Sequence, residues 1–152
     1  MSTLTSFLKK NAIQVENEKV VVSKRFVEPV LDKNGKDTGK TKPVEWEIKP
    51  IDTALDEIIR NECTKKVPIN GRRGQYNREL DADKYMARLC VACTVFPNLN
   101  SAELQDDYGV KSGEELIKAL LTSGEYIEFK AKIMEINGFN LSTEELIDEA
   151  KN

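Results

Sequence analysis

The hydrophobic pattern of this 152-residue chain changes period at Pro50, and that change limits the folds the chain can adopt. Before Pro50, the apolar residues Val44, Trp46 and Ile48 alternate with other residues, as in a strand with one buried face. After Pro50, apolar residues recur every three or four positions, which is the spacing of a helix that buries one face. The sequence therefore predicts a β segment followed by a larger helical part over 50–150.

A turn signal lies inside the predicted β segment, 18–48. Its first half, Glu18 to Leu31, is rich in valine, a β-branched residue that favours strands. Asn34-Gly35 lies between the two strand-forming runs, and both residues tolerate the positive φ of a tight hairpin turn. We therefore expect one two-stranded β-hairpin.

Signals for helix starts and ends occur at intervals along the rest of the chain. Asp81 is expected to cap a helix that continues to Phe96, and Gly109 and Gly138 are placed to end helices in a left-handed conformation. In the last third, a capping side chain lies three residues before a glutamate four times, which is the capping-box pattern. These pairs are Asn100 and Glu103, Ser112 and Glu115, Thr122 and Glu125, and Ser142 and Glu145.

These signals together predict a mainly α fold of the α+β class, a bundle of short helices with one N-terminal two-stranded β-hairpin. The whole chain, 1–152, is expected to form a single domain. In it a short N-terminal helix over 1–11 precedes the β-hairpin over 18–48 and the helical part over 50–150. The stretch 67–77, which holds a proline and two glycines, is expected to be a loop.

The chain contains no histidine, which is the commonest general base and the commonest metal ligand in proteins. Cys90 and Cys93 have the spacing of a CxxC redox or zinc motif, but they lie deep inside a predicted helix. Zinc needs four ligands, and Cys63 is the one further cysteine. We therefore predict three reduced structural thiols, no cofactor, no metal and no enzymatic activity.

One candidate binding surface is a basic cluster. The segment from Arg60 to Arg78, with Arg72 and Arg73 near its middle, has six basic residues and one acid, whereas 98–152 has twelve acids and five bases. A basic cluster attracts phosphate or an acidic protein. Tyr76 is the one nearby aromatic side chain for base stacking, and the net charge of the chain is −3, which disfavours nucleic acid as a partner.

The other candidate is the N-terminal helix, where Leu4, Phe7 and Leu8 share one face. These side chains either pack onto the main core or hold a partner, and the sequence leaves both alternatives open. The N-terminus has its lysines after its apolar residues, which is the wrong order for a secretory signal. No apolar run approaches the roughly 20 residues of a membrane span, so we expect a cytoplasmic protein.

Several segments, taken in order, resemble one protein family. The longest is Asn100 to Val110, and it is followed at matching distances by Gly124-Glu125-Tyr126 and by Glu135-Ile136-Asn137-Gly138-Phe139. The others are Arg25-Phe26, Trp46-Glu47-Ile48-Lys49 and the run from Glu114 to Leu121. Together they resemble the XkdN-like tail assembly chaperones of phages and phage-like elements of Gram-positive bacteria. The hairpin tip, 32–42, is longer than the resemblance suggests, and 67–80 has no match in it.

The resemblance implies a non-catalytic chaperone that binds the tape measure protein and keeps it soluble until the tail tube polymerises. It implies a role in the bacterial host cytoplasm, absence from the mature virion, and the tail tube protein as a further partner. The face of Leu4, Phe7 and Leu8 would then hold the tape measure or a second copy of the chain. The motif residues are predicted to be helix caps and core residues, which would not locate the binding surface. The alternative is a small nucleic-acid-binding regulatory protein that uses the basic patch 60–78.

Overall fold

Short strands and helices alternate along the chain in the computed structural model, which describes residues 3–139. The strands are β1 (Glu18–Val20), β2 (Val27–Leu31), β3 (Asp37–Pro43), β4 (Trp46–Ile48), β5 (Thr64–Pro68), β6 (Tyr76–Leu80) and β7 (Thr94–Phe96). The helices are α1 (Thr53–Glu62), α2 (Ala82–Cys93), α3 (Ala102–Asp107), α4 (Gly113–Leu120) and α5 (Ser123–Ile136). One 3-10 turn, Leu4–Phe7, precedes them.

Three small antiparallel sheets contain these strands. In the first sheet β4 lies at the centre, with β1 along one edge and β7 along the other. β2 pairs with β3, and β5 pairs with β6, to form two separate hairpins. Most side chains of the two hairpins are exposed, so the first sheet is the one that contributes strongly to the core.

The predicted fold class, a mainly α bundle of short helices with one N-terminal two-stranded β-hairpin, is wrong. About 39% of the described residues are helical and about 23% lie in strands, so the fold is α+β with three sheets. Within 18–48, β2 and β3 form a hairpin whose turn includes Gly35 at a φ of 81°. β1 and β4 pair with each other outside that hairpin. The hydrophobic pattern indicates strands but does not say which of them pair.

The stretch 67–77, predicted to be a loop, is the far end of the hairpin β5–β6. The two strands pair over five residues each. The connection between them contains Gly71 and Gly74, whose φ values of 78° and 76° are readily adopted only by glycine. The strands carry charged side chains on both faces, so they lack the apolar alternation by which sequence analysis detects a strand.

Two of the predicted helix starts are capped by the predicted residue. At α5 the Thr122 hydroxyl accepts from the Glu125 N–H, and the Glu125 carboxylate accepts from the Thr122 N–H, which completes a capping box. At α4 the Ser112 hydroxyl accepts from the Glu115 N–H, but the Glu115 carboxylate accepts from the Lys111 N–H, so only one of the two predicted hydrogen bonds forms. Because these caps satisfy donors that a helix leaves unpaired, they fix where both helices begin.

A third helix start differs from the prediction by one residue. Ser101, and not Asn100, caps α3, with its hydroxyl accepting from the Leu104 N–H. Gly109 and Gly138 have positive φ values after α3 and α5, as predicted for the ends of helices. The fourth predicted pair, Ser142 and Glu145, lies outside the described residues.

The core lies where β4 meets the helices. Trp46 and Ile48 are buried while Glu47 between them is half-buried, so the alternation predicted for this strand is confirmed. They pack with buried apolar residues of α2, α4 and α5. These are Tyr85, Leu89, Cys90, Cys93, Leu116, Ile117, Leu120, Phe129 and Ile133.

Asn137 ties the end of α5 to the segment before α1. Its Oδ1 accepts a hydrogen bond from the Ile51 N–H at 3.0 Å, and its Nδ2 donates to the Ile133 carbonyl at 2.8 Å. The same Nδ2 lies 3.4 Å from Cys93 Sγ. The Asn-Gly-Phe motif therefore holds the helical part against the chain that leads out of the first sheet.

The segment 3–15, here called the N-terminal arm, lies outside the core. Its only regular structure is the 3-10 turn Leu4–Phe7, which is shorter than the helix predicted over 1–11. Every residue of the arm is exposed. Of the two alternatives for Leu4, Phe7 and Leu8, the structure therefore excludes packing onto the core of the same molecule.

Candidate partner-binding groove

An apolar groove opens on the surface where the first sheet meets α3. Its cavity has a volume of about 240 Å³. The groove is lined by Phe26, Val44, Trp46, Phe96, Pro97, Leu104, Asp107, Tyr108 and Leu120. It continues along α3 into a wider and shallower depression, which shares Phe96, Pro97, Leu104 and Asp107 with it.

The floor of the groove is a side chain of the core. Trp46 is only 2% exposed, and its ring meets that of Phe129 from α5 edge to face, with centroids 5.4 Å apart and planes at 67°. This arrangement is one that aromatic pairs prefer. Because Trp46 belongs to the central strand of the first sheet, the pair holds the groove floor on the core.

Aromatic side chains on the rim are partly in solvent. Phe96, on the edge strand β7, is 51% exposed, and Tyr108, directly after α3, is 39% exposed. Aromatic residues are enriched at the energetic centres of protein interfaces. A groove with a buried Trp in its floor and two half-exposed rings on its rim is therefore suited to receive apolar side chains of a partner.

One wall of the groove is held by Arg25. Its guanidinium donates a hydrogen bond to the Leu120 carbonyl, lies 5.3 Å from the centroid of the Phe26 ring, and is 3.8 Å from the Glu125 carboxylate. Hydrogen bonds lower the pKa of Glu125. The one from the Thr122 N–H has the largest effect, and the one from Ser23 has the next largest. Glu125 is thus charged at neutral pH, and Arg25 contacts both Leu120 of α4 and Glu125 of α5.

The α3 edge of the groove is acidic. Glu103, Asp106 and Asp107 all border the depression, and in the part of the chain that the structure describes no basic residue lines either it or the groove. The carboxylates therefore give this edge a negative field that favours partners with lysine or arginine beside their apolar residues.

The residues predicted to bind a partner lie elsewhere. Leu4 and Phe7 are 82% and 77% exposed on the N-terminal arm, and Leu8 follows them in the same arm. Arg72 and Arg73 lie at the tip of the hairpin β5–β6. None of the five lines the groove, so the structure does not unite the two predicted surfaces into one site.

The hairpin β5–β6 places two basic residues opposite each other. Lys66 lies directly opposite Arg78 across the two strands, and Tyr76 shares their face. Like charges in this position destabilise a hairpin. Within residues 3–139, neither side chain forms an ion pair.

The cysteines lie in the core and not in the groove. Cys63, Cys90 and Cys93 are buried and have free thiols. Burial raises the pKa of all three, and that of Cys90 reaches about 12. Since the thiolate is the reactive form of cysteine, these side chains are poor nucleophiles in the folded protein.

Sequence analysis missed the groove because its residues are far apart in the chain, from Phe26 to Leu120. The signal was present in the segments that carry the family resemblance. Arg25-Phe26 supplies a wall, Trp46 the floor, and the segment 100–110 supplies the acidic edge with Leu104 and Tyr108. These segments were interpreted as reporting the fold alone, whereas they meet at one surface.

Comparison with known sequences gives the same family as the resemblance. The sequence model of the phage XkdN-like tail assembly chaperone proteins matches residues 4–151. The chain belongs to this family.

Two proteins of Bacillus subtilis (strain 168) are similar to this chaperone over 150 residues, 98% of this chain and 93% of their own length. They are the phage-like element PBSX protein XkdN, at 33% identity, and the uncharacterized protein YqbN, at 35%. The crystal structure of YqbN is similar with a TM-score of 0.69 and 30% identity, over 92% of this chain and 99% of that one. No helix within residues 3–139 has both the length and the apolar character required to cross a bilayer.

Proposed function

We propose that this tail assembly chaperone binds the tape measure protein through the groove and keeps it soluble until the tail tube polymerises around it. The observation that carries the proposal is that several of the segments that resemble the family meet at the groove. Residues 26, 46, 104, 107 and 108 come from three such segments and line one cavity.

The groove suits one turn of an amphipathic helix. Such a helix presents apolar side chains three and four residues apart, which is the helix-in-groove mode of recognition. One of these side chains would enter between Phe96 and Tyr108 and contact Trp46. Basic residues of the same helix would face Glu103, Asp106 and Asp107.

A chaperone of this kind acts by covering apolar surface and by releasing it later, and neither step needs catalysis. The groove is small, so a single contact is weak and reversible, while a long partner can bind many copies along its length. We infer that the protein acts in the host cytoplasm and is absent from the mature virion. The tail tube protein is a further proposed partner, since its polymerisation would displace the chaperone.

The proposal is tested by co-expression with the tape measure protein encoded in the same gene cluster. The wild-type chaperone should bring the tape measure into the soluble fraction and co-purify with it. Phe96→Glu combined with Tyr108→Asp should leave the chaperone folded and the tape measure insoluble. The matched control is Ile127→Glu, which removes an apolar side chain of 60% exposure outside the groove. Equal rescue by the wild type and the groove variant would contradict the proposal.

A second candidate function is nucleic-acid binding by the basic patch 60–78. The like-charged pair Lys66 and Arg78, with Tyr76 on the same face, favours an anionic partner. We predict only weak, strongly salt-dependent binding of DNA or RNA. Sub-micromolar affinity at physiological salt that Arg72→Glu with Arg73→Glu abolishes would make this second function the primary one.

A further inference from the structure

The N-terminal arm carries apolar side chains that its own molecule leaves in solvent. Leu4, Phe7, Leu8, Ile13 and Val15 are all exposed large apolar residues. No residue of the arm lines the groove or the depression beside it. A concentration of this kind on a soluble protein marks a contact surface.

The arm and the groove are complementary in charge as well as in polarity. Lys9 and Lys10 follow Leu8, and the arm contains no acidic residue. On α3, Asp107 lines the groove while Glu103 and Asp106 line the depression beside it, and no basic residue among 3–139 lines either one. An arm that places an apolar side chain between the aromatic rings of the groove would bring its two lysines towards acidic side chains.

The strand order places the arm and the groove of one molecule at different ends of the first sheet. β1 starts at Glu18, which is paired with Ile48, so the arm leaves beside the last residue of β4. Trp46 begins β4, and Phe96 ends β7 beside Glu47, so the groove lies towards the other end. The arm therefore leaves the sheet away from its own groove.

We propose that the N-terminal arm of one copy occupies the groove of a second copy, with Phe7 between Phe96 and Tyr108. The contact is heterologous, since it joins two different surfaces, and it therefore repeats to form a chain of subunits or closes into a ring. It rests on the proposed function in one respect: the groove is shared, so a bound tape measure must displace the arm.

Sedimentation equilibrium of the full chain tests the contact without any tape measure. The mass of the wild type should rise with concentration. Phe7→Asp removes an aromatic anchor and should raise the dissociation constant roughly thirtyfold, and Phe96→Glu should do the same from the groove side. A mixture of the two variants should form a one-to-one pair, because one retains its groove and the other its arm. Ile127→Glu should associate like the wild type.

Charge reversal provides a second set of variants. Their positions are exposed, so the substitutions should change the stability of the fold little. Lys9→Glu with Lys10→Glu, or Asp106→Lys with Asp107→Lys, should each weaken association by about fivefold. All four changes in one chain should restore it.

A wild type that stays monomeric at every concentration overturns the proposal. Variants of Phe7 and Phe96 that fail to pair with each other also overturn it. Self-association that persists unchanged when the tape measure is added contradicts the proposed function and leaves the arm contact standing.

Discussion

The rings of Trp46 and Phe129 meet edge to face at 5.4 Å, and this contact joins the central strand of the first sheet to the longest described helix. Phe129 is itself 3% exposed. The same Trp46 ring forms the groove floor, so the core and the proposed binding surface share one side chain. Stability and binding should therefore respond differently to substitutions below the floor and on the rim.

Phe129→Ala should lower the free energy of unfolding by about 3–5 kcal/mol, because it removes a buried ring and leaves a cavity under Trp46. Tyr108→Ala, on the rim, should lower it by less than about 1 kcal/mol and should weaken partner binding instead. Urea denaturation followed by the fluorescence of Trp46, the single tryptophan, measures both. A similar loss of stability in the two variants would contradict the division between floor and rim.

Asn137→Ala should destabilise the fold by about 1–3 kcal/mol, because the part-buried Ile51 N–H loses its acceptor and the Ile133 carbonyl loses a donor. The control is Asn34→Ala, at the exposed tip of the β2–β3 hairpin, which should cost less than about 0.5 kcal/mol. Thermal unfolding of both variants against the wild type gives the comparison. Equal melting temperatures for all three would show that Asn137 does not hold α5 in place.

Acid should weaken the fold through Asp56. Burial acts to raise the pKa of this carboxyl, but hydrogen bonds from Tyr85 and Arg60 outweigh it and lower the pKa below the ordinary 3.8. Because the folded-state pKa is depressed, the stabilisation is present above the unfolded-state value and is lost as the pH falls through the folded-state value.

Tyr85→Phe removes the hydrogen bond of 2.5 Å to Asp56 and should cost roughly 1–2 kcal/mol at neutral pH. The difference between variant and wild type should shrink as the pH falls below about 3.8, once Asp56 is protonated in both. Urea unfolding of both proteins at a series of pH values from about 2 to about 7 measures this difference in the free energy of unfolding. A difference that does not change with pH would show that the hydrogen bond is not linked to the ionisation of Asp56.

The three thiols should be inert in the folded protein. Since Cys63, Cys90 and Cys93 are buried and burial raises their pKa, a thiol reagent should label them only when the protein unfolds. Metal analysis of the same sample, purified without chelators, is expected to find no stoichiometric zinc. Rapid labelling under native conditions, or one zinc per chain, would contradict the prediction of structural thiols.

Sequence analysis predicted local features better than the way in which they pair. The caps at Ser112 and Thr122 and the alternation that buries Trp46 and Ile48 depend on residues close in the chain, and the structure confirms them. The hairpin β5–β6 was missed because its strands are charged on both faces. β7 was missed because Phe96 continues the helical spacing of α2, although that helix ends at Cys93.

The sequence pattern could not predict the groove, for a related reason. Phe26, Trp46 and Tyr108 come from three distant parts of the chain and line one cavity only in the folded protein, and hydrophobic periodicity does not predict such proximity. An amphipathic pattern also cannot tell whether Leu4 and Phe7 pack onto the core or stay exposed for a partner. In the structure both are exposed. The quoted family segments were the available signal, since they supply most of the groove.

The most direct test of the account is the affinity of the chaperone for a soluble segment of the tape measure protein, measured by titration calorimetry. We predict that Phe96→Glu with Tyr108→Asp raises the dissociation constant by at least about thirtyfold. Ile127→Glu and the pair Arg72→Glu with Arg73→Glu should leave it within about threefold of the wild type. An unchanged affinity in the groove variant, or a loss of binding confined to the Arg72 and Arg73 variant, would contradict the claim that the groove binds the tape measure.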